Sequence, residues 1–526
     1  MKISTKNLII CLTFLLIGVG CQEDLLETIP NDRITSAIFW EQEQDAILAS
    51  NAIYTYLDGT KIFYRDALSD IAHSNKTYIE TTIFEKGSFN ALSDLVEEEW
   101  SNYYQGVRAA NYFLANVDKV NTEDADLINR LKGEVKVLRA YMYLHLTFTY
   151  GDVPLVTDPI SIEEGQSLSQ STSDNIWDFI DAELTAAADM LPLVQDETGR
   201  ITKGAALALK ARAMLFAKRY QEAADAAKEV MDLNHYSLYP NYEDLFSYEA
   251  ENNSEVILDK QFMRGIYPNE VFYLLAPWSQ TFDGGSLYVP LKKIVDEYEM
   301  TNGSMIDDVG SGFDPYNPYV NRDPRLLYSI FVPGSELPNG DIFDPRPNSG
   351  TPDALGNDYH ASQTGASTKK YINAENLDNI YNCGINIILI RYAEILLTYA
   401  EAKVELNELD ASVYDAINEV RQRADVNMPI IDSGKSQIEL RDIVRHERMV
   451  ELAFEGLRFF DIRRWEIAED VMNEPVKGVT YENTSGDLVT VQIESFVRNF
   501  QPKHYLWPIP QKELDLNKNL KQNPLW

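Results

Sequence analysis

The chain has 526 residues, of which 82 are acidic and 46 basic, and its formal net charge is −36 at pH 7. This length is enough to bury a large core, while the acidic excess makes nucleic acid and anionic membrane surfaces poor partners. Uncharged ligands remain compatible with such a surface.

The first residues have the pattern of a signal peptide. Lys2 and Lys6 precede an apolar run from Leu8 to Val19, which is too short to span a bilayer because a spanning helix needs about 20 apolar residues. Small residues then lead into Cys21, as in a lipoprotein signal. We expect residues 1–20 to be removed and Cys21 to be lipidated, since two or more acyl chains hold a protein stably on a membrane. The alternative is an ordinary secretory signal followed by an incidental cysteine.

Helical spacing recurs through the chain that follows. A first helix is predicted over 39–57, with Thr35 or Ser36 as its N-cap. Helix pairs are predicted over 97–151, 174–234, 391–423 and 436–465. The clearest pair lies at 203–234, where two short helices with small residues at their crossing points are typical of a tetratricopeptide unit of about 34 residues.

Two stretches lack this periodicity. Residues 63–92 are polar and aromatic and are predicted to form long loops rather than core, and residues 235–385 are rich in proline, glycine, asparagine and aromatic residues. We therefore predict a mainly α-helical solenoid of helical hairpins with a loop-rich, ligand-binding face. Residues 21–526 would form one domain, with the helical parts at 21–234 and 386–526 and the loop-rich face at 235–385.

The stretch 436–465 combines a buried helical pattern with paired charge. Glu447, Glu451 and Glu455 form a column of like charges at i, i+4 and i+8, which needs nearby cations. The same stretch offers Arg445, Arg448, Arg458, Arg463 and Arg464. A structural network of arginines and glutamates is one interpretation, and a glycosidase that uses Glu447 and Glu451 as paired acids is the other.

Several sequence blocks carry a family resemblance. HERMVELAFEGLRFFDIRRW (446–465), RYAEILLTYAEA (391–402), NEVRQRADV (418–426) and RDPRL (322–326) resemble the SusD/RagB proteins. The resemblance implies a SusD-like fold and a non-catalytic, surface-exposed lipoprotein of the outer membrane, without a cofactor, which passes glycans to a SusC-like TonB-dependent transporter. The sequence departs from the family pattern at Gly18 in the lipidation signal, and at Lys518 and Leu525 in the terminal turn.

Ligand-binding residues are sought where aromatic rings adjoin amides and carboxylates in loops, because rings cover the apolar faces of sugars while polar groups bind the hydroxyls. The first such stretch, which the family resemblance also favours, offers Asp66, Asp70, His73, Asn75 and Tyr78. The second offers Tyr273, Trp278, Gln280, Phe282, Asp283 and Tyr288. Trp278 is the strongest single candidate, and the alternative is that these aromatic residues only pack against the scaffold.

Three functional hypotheses follow. The first is a glycan-binding lipoprotein that delivers an oligosaccharide or another nutrient, the second a helical glycosidase, and the third a tetratricopeptide adaptor that binds protein. The sequence has no HExxH, CxxC or EF-hand pattern and no phosphate-binding glycine loop, so neither a metal centre nor a cofactor is predicted.

Overall fold

The computed structural model describes residues 39–526 with the exception of 283 and 358. The predicted signal peptide 1–20, the lipidation site Cys21, the N-cap at Thr35 or Ser36 and the candidate Asp283 lie outside the described residues.

Long helices stack side by side to form the scaffold. In the first part of the chain the helices are α1 (Glu43–Ile53), α2 (Lys61–Ala67), α3 (Thr81–Glu85), α4 (Asp94–Asn116), α5 (Ala125–Tyr150), α6 (Ile162–Gly165), α7 (Ser173–Met190), α8 (Lys203–Phe216) and α9 (Tyr220–Asp232). The later helices are α10 (Val271–Leu275), α11 (Trp278–Thr281), α12 (Lys292–Glu297), α13 (Arg325–Ser329), α14 (Tyr392–Glu405), α15 (Ala411–Arg421), α16 (Gln437–Glu451), α17 (Arg458–Arg464), α18 (Ala468–Met472) and α19 (Gln511–Leu516). α4 packs against α5, α5 against α7, α7 against α8 and α8 against α9; α9 then packs against α14, which also contacts α15 and α16. This arrangement confirms the predicted helical stack.

The hairpin of α8 and α9 shows why these residues form the scaffold. The side chain of Thr202 caps α8 by accepting a hydrogen bond from the Ala205 amide, and the alanines of α8 are buried, so neighbouring helices approach closely. A side chain at Gly204 would collide with the ring of Tyr236, which follows α9. Small residues therefore allow close packing both between the helices and at the beginning of α8.

A buried ion pair joins the two halves of the stack. Arg212 on α8 donates to both carboxylate oxygens of Glu394 on α14, at 2.7 and 2.5 Å. Arg212 is also bonded to the backbone carbonyl of Leu389. Both charged side chains are buried, so this contact fixes α8 against α14 deep in the core.

Short antiparallel strand pairs lie outside the stack. In the described part of the chain β1 (Ala72–Ser74) pairs with β3 (Tyr288–Pro290) and places His73 opposite Val289. The other pairs are β2 (Val256–Lys260) with β6 (Ile387–Arg391), β4 (Ile330–Phe331) with β5 (Ser367–Thr368), and β7 (Lys477–Glu482) with β8 (Leu488–Gln492). The pairing of β1 with β3 is the contact that brings the two candidate ligand-binding stretches together.

The prediction that residues 63–92 form loops rather than core is wrong. This stretch contains most of α2, all of β1 and α3, and many buried residues. Its polar side chains are paired inside the protein: the buried Arg65, for example, donates to Asp58 at 2.6 Å and to Glu99 at 3.1 Å. Because hydrophobic periodicity counts such residues as solvent-exposed, it could not identify this part of the core.

Candidate functional site

Five aromatic side chains from three segments form a continuous row, here called the aromatic row: Trp278, His360, Tyr359, Tyr78 and Tyr273. Trp278 stacks on His360 with ring centroids 4.6 Å apart, and His360 lies 5.4 Å from Tyr359. The ring of Tyr359 is 6.5 Å from that of Tyr78. Burial and the neighbouring phenols of Tyr273 and Tyr359 raise the pKa of Tyr78, and the phenol of Tyr273 lies beside that of Tyr78.

The aromatic row presents ring surface to solvent. Tyr78 is 62% exposed and Tyr359 is 53% exposed, whereas Trp278 and Tyr273 are half-buried. Phe282, which is 65% exposed, lies 5.8 Å from Trp278 and extends the surface beside it. Exposed rings at this spacing provide a platform for the apolar faces of sugar rings.

The strand β1 and its following residues position one side of the row. Asn75 donates to the carbonyl of Ala361 at 3.2 Å and accepts a hydrogen bond from the amide of Gln363 at 2.8 Å. Lys76 donates to the carbonyls of Tyr359 and His360, at 3.2 and 2.7 Å. These bonds hold the loop that carries two of the five rings.

The short helix α11 positions the other side. The amide of Ser279, at its beginning, donates to the Asp353 carboxylate at 2.9 Å. Gly285, with φ of 83°, lies so close to the Tyr273 carbonyl that a side chain there would be 2.5 Å from the oxygen. The glycine pair therefore allows the backbone to fold tightly around Tyr273.

Four predicted residues are buried structural groups. Asp70 is 1% exposed and accepts hydrogen bonds from Arg458 at 2.7 and 2.8 Å. His73, also 1% exposed, lies 2.9 Å from Glu85. Asp66 and Asn75 are likewise buried. Of these four, only Asn75 contacts the loop of the aromatic row.

Three of the remaining predicted residues belong to the row, and a fourth adjoins it. Tyr78, Tyr273 and Trp278 are members, Phe282 adjoins Trp278, and Tyr288 lies in β3 opposite Ser74. Gln280 is 6% exposed, and its side-chain oxygen has no hydrogen-bond partner within the described residues. The two stretches predicted from the sequence to bind ligand thus contain three of the five rings of the row.

Sequence reasoning missed Tyr359, His360 and Lys76. The only signal for the first two was their adjacent aromatic side chains within the proline-rich and glycine-rich stretch 332–366. Their pairing with residues 75–78 is a contact between distant parts of the chain, and no local pattern encodes it.

The acidic column, formed by Glu447 and Glu451 of α16 and by Glu455 just beyond the end of that helix, is a buried structural network. Glu447 and Glu451 are fully buried, and Glu455 is 8% exposed. Glu451 accepts hydrogen bonds at 2.7 to 2.8 Å from three guanidinium groups, those of Arg325, Arg391 and Arg423. Glu447 is bonded to Arg325 and Arg421, and Glu455 to Arg391 and Lys370. Burial alone would raise the pKa of Glu451, but the three arginines lower it below the ordinary range for a glutamate.

The source of these cations differs from the expectation. The arginines of 436–465 were expected to pair with the column, but Arg448 and Arg464 are bonded to Asp461, Arg458 to Asp70, and Arg445 to Glu405. Residues one or two positions apart on a helix do not face each other, so Arg445 and Arg448 point away from Glu447. Because the carboxylates of Glu447 and Glu451 have no exposed surface, they cannot face a glycosidic bond across a cleft.

Three further features of the described part of the chain concern metal binding, membrane crossing and other clefts. No cluster of three or more His, Cys, Asp or Glu side chains among these residues could hold a metal ion, and none of the helices that the structure describes is long and apolar enough to cross a bilayer. A cleft of about 790 Å³ lies elsewhere and is lined by Tyr316, Tyr328 and Tyr481 among others. None of the predicted ligand-binding residues lines that cleft.

Comparisons with known proteins cover most of the chain. Residues 243–526 match the model described as the SusD family, and residues 33–215 match a model described as starch-binding associating with outer membrane. A SusD-like protein of Formosa agariphila is 27% identical over 98% of this chain and 98% of its own length. A second one, from Bacteroides ovatus, is 24% identical over 88% of this chain and 83% of its own.

Solved structures have the same fold. A SusD-like carbohydrate binding protein of Bacteroides fragilis is 29% identical, with a TM-score of 0.82 over 92% of this chain and 100% of its own. A laminarin-binding SusD-like protein, 22% identical, has a TM-score of 0.72 over 93% of this chain and 100% of its own. At that identity the second likeness shows the fold alone.

Proposed function

The chain belongs to the SusD family, and on that premise we propose that it binds an oligosaccharide on the aromatic row and delivers it to a SusC-like TonB-dependent transporter, without catalysing a reaction. The observation that supports binding at this place is the row itself, in which five rings from three segments lie side by side and two of them are largely exposed. The carbohydrate-binding relative from Bacteroides fragilis supports the ligand class.

The arrangement suits binding rather than catalysis. The glutamates that a glycosidase would use are buried and each is paired with at least two cations. The rings, by contrast, offer apolar faces beside polar backbone and amide groups, which is the combination that holds a sugar. Capture on a rigid helical scaffold, followed by transfer to a pore, requires no chemical step.

A substitution of Trp278 tests the binding site. Trp278→Ala removes the stacked ring at one end of the row, and we expect it to weaken binding at least roughly tenfold, because truncating an aromatic anchor costs about 2 kcal/mol or more. Its melting temperature should change little since the ring is half-buried. Binding can be measured by affinity electrophoresis in gels that contain starch, laminarin, xylan or mannan.

The matched control is Tyr316→Ala, which removes a ring that is 57% exposed and lies in the other cleft. It should leave migration in the gels unchanged. Equal retardation of wild type and Trp278→Ala, or unfolding of Trp278→Ala, would count against this site. Failure of the wild type to bind any of the polysaccharides would count against glycan binding altogether.

Delivery is supported by the sequence pattern around Cys21 and by the outer-membrane association in the description of the matching family model. We propose that lipid on Cys21 anchors the mature chain to the outer membrane, facing the cell exterior. Mass spectrometry of the native amino-terminal peptide should find acyl chains on Cys21, and purification from membranes should recover a transporter barrel. An unmodified amino terminus together with the absence of a copurifying barrel would refute this part of the proposal.

A further inference from the structure

A further aromatic ring, that of Tyr381, adjoins the aromatic row at Tyr273. The ring of Tyr381 lies 4.9 Å from that of Tyr273, at an interplanar angle of 37°, and is 43% exposed. Tyr381 also lines a cleft of about 330 Å³, which lies within the range of ~300–1,000 Å³ typical of ligand sites. One side chain therefore connects the row to a concave site.

This cleft, here called the polar cleft, is formed where several elements meet. Its lining includes Lys61, Asn102, Lys260, Phe262, Glu270 and Tyr381. Gly59 contributes part of its wall, and a side chain at Gly59 would approach the Phe262 ring to 2.8 Å. The wall is thus closely packed, and Tyr381 joins the cleft to the row through its contact with Tyr273.

Two polar side chains of the polar cleft have no hydrogen-bond or ion-pair partner among the described residues. In the part of the chain that the structure describes, neither the side-chain amide of Asn102 nor the carboxylate of Glu270 makes a hydrogen bond or ion pair. The first offers hydrogen-bond donors and an acceptor, and the second offers acceptors. Together with Tyr381 they match the hydroxyl groups and the apolar face of one sugar ring.

The two lysines of the polar cleft already serve other groups. Lys61 forms an ion pair with Glu99 at 2.7 Å, and Lys260 donates to the carbonyls of Thr55 and Leu57 at 2.9 and 2.6 Å. Carboxylates dominate the adjoining first turns of α4, where Asp94, Glu97 and Glu98 line a neighbouring cleft that shares Lys61 and Asn102. A negatively charged sugar would be repelled there, so the fitting ligand is uncharged.

We propose that the glycan path continues from the aromatic row across Tyr381 into the polar cleft, so that the protein selects uncharged oligosaccharides long enough to occupy both. This inference rests on the proposed function and adds the length and charge of the ligand. Short oligosaccharides would occupy the row alone. Longer ones would gain the contacts of the cleft as well.

The test uses the mature full-length chain and oligosaccharides of graded length. The polysaccharide that retards the wild type in gels is hydrolysed, and its products from disaccharide to octasaccharide are titrated by calorimetry. Wild-type affinity should rise in a step, at least roughly tenfold, at the length that reaches the polar cleft. Tyr381→Ala and Asn102→Ala should lose this step and keep the affinity for short products, whereas Trp278→Ala should weaken binding at every length.

Asn102→Ala should not affect folding, because Asn102 lies on the surface of α4 and its side chain makes no hydrogen bond with any described residue. Tyr316→Ala again serves as the control for loss of an exposed ring. Affinity that is independent of length, or equal losses for short and long products in the cleft variants, would overturn the inference while leaving glycan binding intact. Oligosaccharides of the acidic polysaccharide alginate are titrated in parallel, and a length-dependent step seen only with them would overturn the assignment of an uncharged ligand.

Discussion

Glu451→Gln tests whether the acidic column is structural. Glu451 is fully buried and accepts hydrogen bonds from three guanidinium groups. Glutamine keeps the shape of the side chain but removes the charge and turns an amide N–H₂ toward cations. Removal of one partner of a buried ion pair costs about 3–5 kcal/mol, because the remaining charges stay desolvated without compensation.

The size of the thermal effect follows from the length of the chain. Unfolding entropy is about 2.1 cal/mol/K per residue, which gives roughly 1 kcal/mol/K for a chain of 526 residues. We therefore expect Glu451→Gln to lower the melting temperature by about 3–5 °C. Calorimetry at neutral pH measures this shift, and Asp442→Asn, at an exposed position of the same helix, is the control that should melt like the wild type.

The same variant separates a structural role from a catalytic one. Polysaccharide binding by Glu451→Gln should be unchanged at 25 °C, because Glu451 does not contact the aromatic row. A melting temperature equal to that of the wild type would refute the structural interpretation. The interpretation would also be refuted if the wild type cleaved glycans and Glu451→Gln abolished this activity.

Two further predictions concern buried polar groups. Burial, reinforced by Glu455, raises the pKa of Asp66 to about 8, so the folded chain keeps a proton that the unfolded chain loses near pH ~4. The free energy of unfolding of the wild type should then fall by up to ~1.4 kcal/mol per pH unit as the pH rises between those values. In urea unfolding, Asp66→Asn should be as stable as the wild type at pH 4 and more stable at pH 8. Equal stabilities at pH 8 would contradict this prediction. Asn75→Ala should weaken polysaccharide binding in gels because it releases the loop that carries Tyr359 and His360. It should also lower the free energy of unfolding by about 1–3 kcal/mol. Unchanged binding would show that the loop does not depend on Asn75.

The helical scaffold could be predicted because its information is local. The spacing of apolar residues is visible in the sequence, and predicted and observed helices agree over most of 97–234 and 391–465. The buried polar segment at 63–92 could not be identified in this way, because Arg65 finds its partners by tertiary contact. A charged residue looks the same in sequence whether it is exposed or paired.

The candidate site could be predicted only in part for the same reason. Aromatic residues near polar ones marked two stretches of the chain, and the pairing of β1 with β3 explains why both contribute to one surface. The third segment, with Tyr359 and His360, adds its rings through hydrogen bonds to Asn75 and Lys76. The chemical type of the site was therefore readable from composition, while its full membership depended on long-range contacts.

The ion pair between Arg212 and Glu394 has a practical consequence for expression. The two family models match separate parts of the chain, 33–215 and 243–526, which invites production of each part as an independent fragment. A cut between them would strand a guanidinium in one fragment and a carboxylate in the other, and would uncover the apolar faces of α9 and α14. We therefore expect either part to aggregate when it is produced alone, so the chain has to be expressed whole.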